Sequence, residues 1–329
     1  MKTTSNQKKP NLICLLLLIS FPSASSVLIS PALPAISNHF HLSISYITNL
    51  ITFYLIGYAL GQLIYPPIAN RYGRKKAIYV GIFIYLIATL ICLFGIYINS
   101  LIVMTLGRFI LALGASVGMI ISFTIINDYY KPEQAKSIVS YTVLSYAFMP
   151  AIAIFVGGYI TSQLSWVDCF YFYIFYGLLI LFIGSLLPET LIKKDANAFN
   201  TRILIKKYYH GFLNKRIIIF ALIFGIMSSP IYIMATDGPF IGINTIGLSA
   251  KVYSALFLVA YLGQFLGSLT AGKINKKLSS YQVIFIGYFA VALGSSILLI
   301  SFLCHWINII TLIGSCFIIK RLDKCYPVF

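Results

Sequence analysis

The chain reads as an all-α protein that crosses a membrane many times. Three observations predict this fold class. About ten apolar stretches of spanning length alternate with short polar loops. Nearly every Lys and Arg falls in every second loop, and one short pattern recurs at an offset of 202 residues in equivalent places.

An apolar helix needs ~20 residues to cross a ~30 Å hydrocarbon core. The candidate spans are 12–36, 46–69, 77–98, 101–126, 136–160, 168–187, 217–240, 251–272, 281–303 and 305–319, the last of them short. With the N-terminus inside, the inner loops hold Lys2, Lys8 and Lys9, then Arg71, Arg74, Lys75 and Lys76, then Lys131 and Lys136. The longest inner loop adds Lys193, Lys194, Arg202, Lys206, Lys207, Lys215 and Arg216. Lys273, Lys276, Lys277, Lys320, Arg321 and Lys324 complete the set. Of the 24 basic residues only Lys251 faces out, and Arg108 lies inside a span. The positive-inside bias therefore puts both termini in the cytoplasm.

A net charge of +17 invites a nucleic-acid partner, but a soluble basic domain would not be 60% apolar. Topology and contact with anionic lipid headgroups account for the charge. Cys14, Cys92, Cys169, Cys304, Cys316 and Cys325 are scattered without ligand spacing, so free thiols are expected, with neither a metal site nor a cofactor. Residues 8 to 26 have the make-up of a signal peptide, yet the apolar run continues through Val27-Leu28-Ile29. An uncleaved first helix is the better reading.

The repeat aligns Gly61-Gln62-Leu63-Ile64 with Gly263-Gln264-Phe265-Leu266, Ala69 with Ala271, Arg71 with Lys273, and Arg74-Lys75 with Lys276-Lys277. Each copy ends the second helix of its half and opens a basic turn, so the halves are parallel repeats. The division expected is a six-helix bundle over 1–190, a cytoplasmic linker over 191–216 and a second bundle over 217–329. Two full repeats would need roughly 400 residues. The expectation is therefore a C-terminally shortened chain with four of the second half's six helices.

Three motifs have mechanical content. Pro66-Pro67-Ile68-Ala69-Asn70-Arg71-Tyr72-Gly73-Arg74-Lys75-Lys76 joins the second and third spans by a tight basic turn, with Gly73 free to take a positive φ. Arg108 opens Arg108-Phe109-Ile110-Leu111-Ala112-Leu113-Gly114-Ala115-Ser116-Val117-Gly118, roughly 12 Å deep at 1.5 Å per residue. A guanidinium there costs at least ~2.5 kcal/mol and must face the bundle interior or water, or be bonded to helix carbonyls. The fifth span carries Pro150 and then Gly157-Gly158, small and helix-distorting residues.

The first run closely resembles the GPLSDRFGRK loop of the major facilitator superfamily, in particular its Bcr/CflA drug-efflux branch. The second resembles that family's RFxQALGAxxG pattern, and the third its exporter motif on helix 5. Trp166 with Phe170 and Phe172, and Pro239-Phe240 with Gly247-Leu248-Ser249, also fit the branch. The resemblance implies a major facilitator fold in a bacterial cytoplasmic (inner) membrane. It further implies proton-coupled export of small amphipathic compounds by alternating access. Arg108 would serve proton or substrate coupling, Asn70, Arg71, Gly73, Arg74 and Lys75 the inner gate, and Pro150, Gly157 and Gly158 a hinge face.

The chain departs from the branch in places. Val27 stands where the first helix usually carries an acid, Asn70 replaces the loop's Asp, Leu111 the Gln of helix 4, and Ile154 a second Pro. Without the first-helix acid, neutral substrates are expected to be favoured over cations. Asp237 is the one acid within reach of a cavity, and Val27, Leu111 and Tyr232 are candidates to line it. Uptake of a metabolite and a non-transporting or partner-binding remnant stay open, as does the oligomeric state. No HExxH, nucleophile elbow or His cluster points to an enzyme.

Overall fold

The computed structural model describes residues 9–274 and 280–322, and no strand occurs among them. Lys276 and Lys277 of the repeat, and the tail from 323, lie outside the described residues. The first span is a broken helix. α1 (Leu12–Val27) is followed by a 3-10 turn at Ser30–Ala32 and by α2 (Leu33–Phe40). Pro31 and Pro34 lack the N–H that a continuous helix would offer to the carbonyls four residues earlier, so the ladder is interrupted here.

A short turn, α3 (Ile44–Ile47), leads into α4 (Asn49–Tyr72), and α5 (Arg74–Tyr97) begins one residue after α4 ends. The residue between them is Gly73, at φ 111° and ψ 160°, a conformation essentially reserved for glycine. The fourth span is α6 (Leu101–Ala115) continued by α7 (Val117–Tyr129), with the Ser100 hydroxyl capping α6 by accepting from the Val103 N–H. α8 (Pro132–Gln163) runs through Pro150, and α9 (Asp168–Leu186) closes the first six spans.

Within the polar linker the chain forms a further helix, α10 (Thr201–Leu213). Asn214 then caps α11 (Lys215–Thr236) by accepting from the Arg216 N–H at 3.1 Å. A wide π-type turn at Phe240–Thr245 precedes α12 (Ala250–Ile274), α13 (Ser280–Leu303) and α14 (Ile309–Leu322).

Among the described residues, six stretches are long and apolar enough to cross a membrane unaided: Leu12–Phe40, Ile44–Tyr72, Arg74–Tyr97, Leu101–Tyr129, Asp168–Leu186 and Phe285–Leu303. Phe148–Gln163, Ala250–Gly263 and Ile309–Ile319 are apolar but shorter. The other predicted spans coincide with α8, α11, α12 and α14. Phe83, Leu90 and Phe94 are exposed along one side of α5, a lipid-facing row at helical spacing.

Contacts divide the chain into two compact units. One is drawn from Met1–Ser26, Ser45–Met149 and Val167–Gly211, the other from Val27–Ile44, Pro150–Trp166 and Phe212–Phe329. In the first unit, α4 and α5 meet the fourth span through small residues. A Cβ on Gly61 would lie 2.9 Å from the Leu113 carbonyl oxygen, and one on Gly114 2.5 Å from the backbone of Gly81 and Tyr85. In the second, a Cβ on Gly263 would come within 2.5 Å of the Phe317 carbonyl oxygen of α14. Gly61 and Gly263, paired in the repeat, thus each sit where another helix passes at backbone distance. Lipid tails are as apolar as leucine, so such close approach is a main source of helix association in membranes.

Candidate functional site

Arg108, two turns into α6, is fully buried, at 0% exposure. Its nitrogens all donate to main-chain oxygens: Nε to Leu50 at 3.4 Å, Nη1 to Ser25 at 3.2 Å and Nη2 to Ser26 at 3.1 Å. The guanidinium carbon lies 4.5 Å from the centroid of the Tyr54 ring and 5.4 Å from that of Tyr173. Both rings are fixed in turn, since the Tyr54 hydroxyl donates to the Pro22 carbonyl at 2.8 Å and that of Tyr173 to Ser25 at 3.0 Å.

Ser25 and Ser26 belong to the last turn of α1. Carbonyls at a helix C-terminus carry roughly half a negative charge. The break in the first span thereby supplies a negative end for the cation, supported by two aromatic faces. Charge-assisted hydrogen bonds of about 1.5–3 kcal/mol each offset the cost of placing the charge at this depth. The ion pair found among the described residues is Arg74–Asp128, so Arg108 is held by carbonyls and rings. Leu111, one turn on, and Val27, the last residue of α1, are buried apolar side chains.

The basic turn is built differently, around carboxylates. The buried Arg74 pairs through Nε with Asp128 Oδ2 at 2.9 Å, while Nη1 donates to the Ala69 carbonyl at 2.9 Å and to Asn70 Oδ1 at 3.2 Å. Asp128, at the end of α7, also accepts from the Thr190 hydroxyl at 2.8 Å. Glu189, just beyond α9, accepts from the N–H groups of Arg74 at 2.9 Å and Lys75 at 3.1 Å, a carboxylate set on the N-terminus of α5. The Lys75 ammonium donates to the Ser185 carbonyl at 2.8 Å. Gly73 has no room for a side chain because its missing Cβ would fall against the Glu189 carboxylate. Arg71 is half-buried in the last turn of α4, and the Asn70 carbonyl accepts from the Asp195 N–H at 3.0 Å.

Removing Asp128 strands a buried guanidinium. Asp128→Ala is expected to destabilise the protein by about 3 kcal/mol, read as a lowered midpoint of thermal unfolding in detergent.

In the second unit, Pro150, Gly157 and Gly158 are buried along α8. A Cβ on Gly157 would collide with the Leu28 carbonyl oxygen, and one on Gly158 would lie 2.6 Å from the Ala250 carbonyl oxygen and against Ser254. Tyr232 is half-buried in α11, and Asp237 is an exposed residue capping its C-terminus, where its N–H donates to the Ile233 carbonyl at 2.8 Å. Asp237 and Arg108 fall in different units.

Asp128, Glu189, Tyr54 and Tyr173 are site residues that motif reading passed over. A signal existed for the acids: the chain has only seven Asp and Glu, and these two stand at helix ends next to basic loops. For the tyrosines none existed, because 24 of them are spread along the chain.

The family model of the Major Facilitator Superfamily matches residues 13–319. Multidrug resistance protein D of Escherichia coli is 27% identical over 83% of this chain and 68% of its own. An uncharacterized transporter of Rickettsia felis is 27% identical over 82% of this chain and 65% of its own length, so the chain spans about two thirds of the curated relatives it matches. A bicyclomycin resistance protein homolog of Haemophilus influenzae is 22% identical over 84% of this chain and 69% of its own. Among solved structures, the xylose transporter XylE of E. coli, in a partially occluded inward-open conformation, superposes with a TM-score of 0.77 at 14% identity. It covers 95% of this chain and 81% of that one. The helical architecture and the match along nearly the whole sequence agree, and the chain belongs to the Major Facilitator Superfamily.

Proposed function

We propose that this protein is a membrane carrier that exports small, uncharged amphipathic compounds by alternating access, in exchange for protons. The observation that carries the reading is the cradle of Arg108: a buried, permanently charged group bonded to carbonyls and ring faces, with Val27 where the branch has an acid. A site of this kind disfavours a cationic drug and tolerates a neutral one. The family membership and the resistance proteins among its relatives support export of drugs. Arg108 organises coupling, the Gly73 turn with Asn70, Arg71, Arg74 and Lys75 governs the inner gate, and the Gly157-Gly158 face of α8 is the surface on which helices slide. Asp237 is the candidate proton carrier, and Val27, Leu111 and Tyr232 the candidate cavity residues.

The test is accumulation of ethidium and of a radiolabelled neutral drug of the chloramphenicol type in efflux-deficient cells expressing the chain, with and without a protonophore. The expected result is lower accumulation of the neutral compound, abolished by the protonophore, with little change for ethidium. Stronger exclusion of the cation, or raised accumulation of the neutral compound, overturns the reading.

A further inference from the structure

The polar linker contains a helix that carrying a substrate does not require. On α10, Leu204, Tyr208 and Gly211 form one row at helical spacing and are half-buried. The Tyr208 hydroxyl donates to the Leu63 carbonyl of α4 at 2.6 Å. In a regular helix that oxygen would take the N–H four residues on, but residue 67 is a proline within α4 and has none. Tyr208 therefore fills a vacancy created by the sequence of another helix. Burial pushes its phenol above the ordinary tyrosine range. A second contact, the Tyr72 and Phe199 rings at 5.8 Å, ties the approach to α10 to the inner end of α4. The two contacts are separated by the same interval in both segments, so α10 and its approach are tied to α4 at two points.

The neighbouring row is unpartnered by the fold. Ile205, Tyr209 and Phe212 are 63%, 60% and 67% exposed. Arg202 and Lys206 border it, Lys207 and His210 follow round the helix, and no acid occurs on α10. Large apolar side chains beside long basic ones, on a helix tied to a membrane-spanning one, suit one surface, the membrane boundary. Apolar groups enter the acyl boundary while the basic stems reach back to phosphate.

We propose that α10 is a lipid-binding helix whose free face takes the anionic phospholipid of the cytoplasmic leaflet, with Arg202, Lys206 and Lys207 on phosphate and Ile205, Tyr209 and Phe212 in the acyl boundary. The proposal rests on the cytoplasmic placement of the linker and does not depend on what the carrier exports.

The experiment places the full chain in lipid nanodiscs of phosphatidylcholine alone, or of phosphatidylcholine and phosphatidylglycerol in equal parts, and follows amide hydrogen exchange of residues 201–213. One basic residue near an anionic surface is worth about five-fold in an equilibrium, so exchange is expected to slow by on the order of tenfold in the anionic discs. The triple variant Arg202→Gln, Lys206→Gln, Lys207→Gln, altered only at exposed positions, is expected to lose that difference while exchange in α4 stays unchanged. Equal rates in both lipids, as a docking site for a soluble protein would give, overturn the proposal. So does a lipid difference that survives in the triple variant.

Discussion

Arg108→Ala is expected to insert normally and to lose export by on the order of a hundredfold, because the groups around Arg108 are positioned by it and small misplacements are costly. The side chain is wholly enclosed, with three carbonyls and two rings around it. Its removal leaves a void and takes the guanidinium donor from the Ser26 oxygen, while Ser25 keeps the Tyr173 hydroxyl, at a cost of about 4 kcal/mol. Relief from burying a charge returns about 2.5 kcal/mol, so a modest net loss of stability is expected. Thermal unfolding in detergent and drug accumulation in cells, measured on the same variant, separate the two effects. Arg108→Lys decides between charge and geometry. An ammonium keeps the charge but cannot span three acceptors and lie flat against two rings, so this variant is expected to be nearly as inactive as alanine. Full export by Arg108→Lys would show that the fork of donors is dispensable.

Gly157→Val is the second substitution with a large expected effect. Its first carbon would occupy the place of the Leu28 carbonyl oxygen, and main chain on that side cannot be moved aside like the end of a flexible side chain. Overpacking of this kind costs about 1–3 kcal/mol, and α8 must retreat from the segment after α1. Loss of export together with a lowered unfolding midpoint is expected. Gly225→Ala provides the contrast. It too lies in a helix, α11, but nothing stands within 4 Å of its missing Cβ, so export should be unaffected. If Gly157→Val transports like the unaltered chain, the close approach of α8 has no part in the cycle.

Much of the fold was legible from the spacing of apolar runs and the placement of basic residues, because a bilayer imposes span length and charge asymmetry on any chain that crosses it. Gly73 was legible for a related reason: a one-residue connection between α4 and α5 demands a backbone that other residues resist. The break in the first span could be read from Pro31 and Pro34, but its use could not. That carbonyls at the end of α1 take the guanidinium depends on where α6 passes, and this follows from packing of Gly61 and Gly114 rather than from any local pattern. Asp128 and Glu189 lie far in sequence from the loop they hold. α10 was hidden for another reason: its basic residues suggested a solvated linker, while its apolar row is too short to register as a span.

The proline pair in α4 has a consequence for how this sequence can change. Pro67 withholds a donor from Leu63 and Tyr208 supplies one from another helix. The two positions are thermodynamically coupled across more than a hundred residues of chain, with no contact between their side chains needed. Alanine at 67 would restore the helix's own N–H and make the phenol redundant, whereas phenylalanine at 208 is harmful only while the proline is present. The order of replacement therefore matters: a lineage that first gives up the proline can afterwards give up the tyrosine freely, and the reverse order passes through an intermediate with an unsatisfied carbonyl.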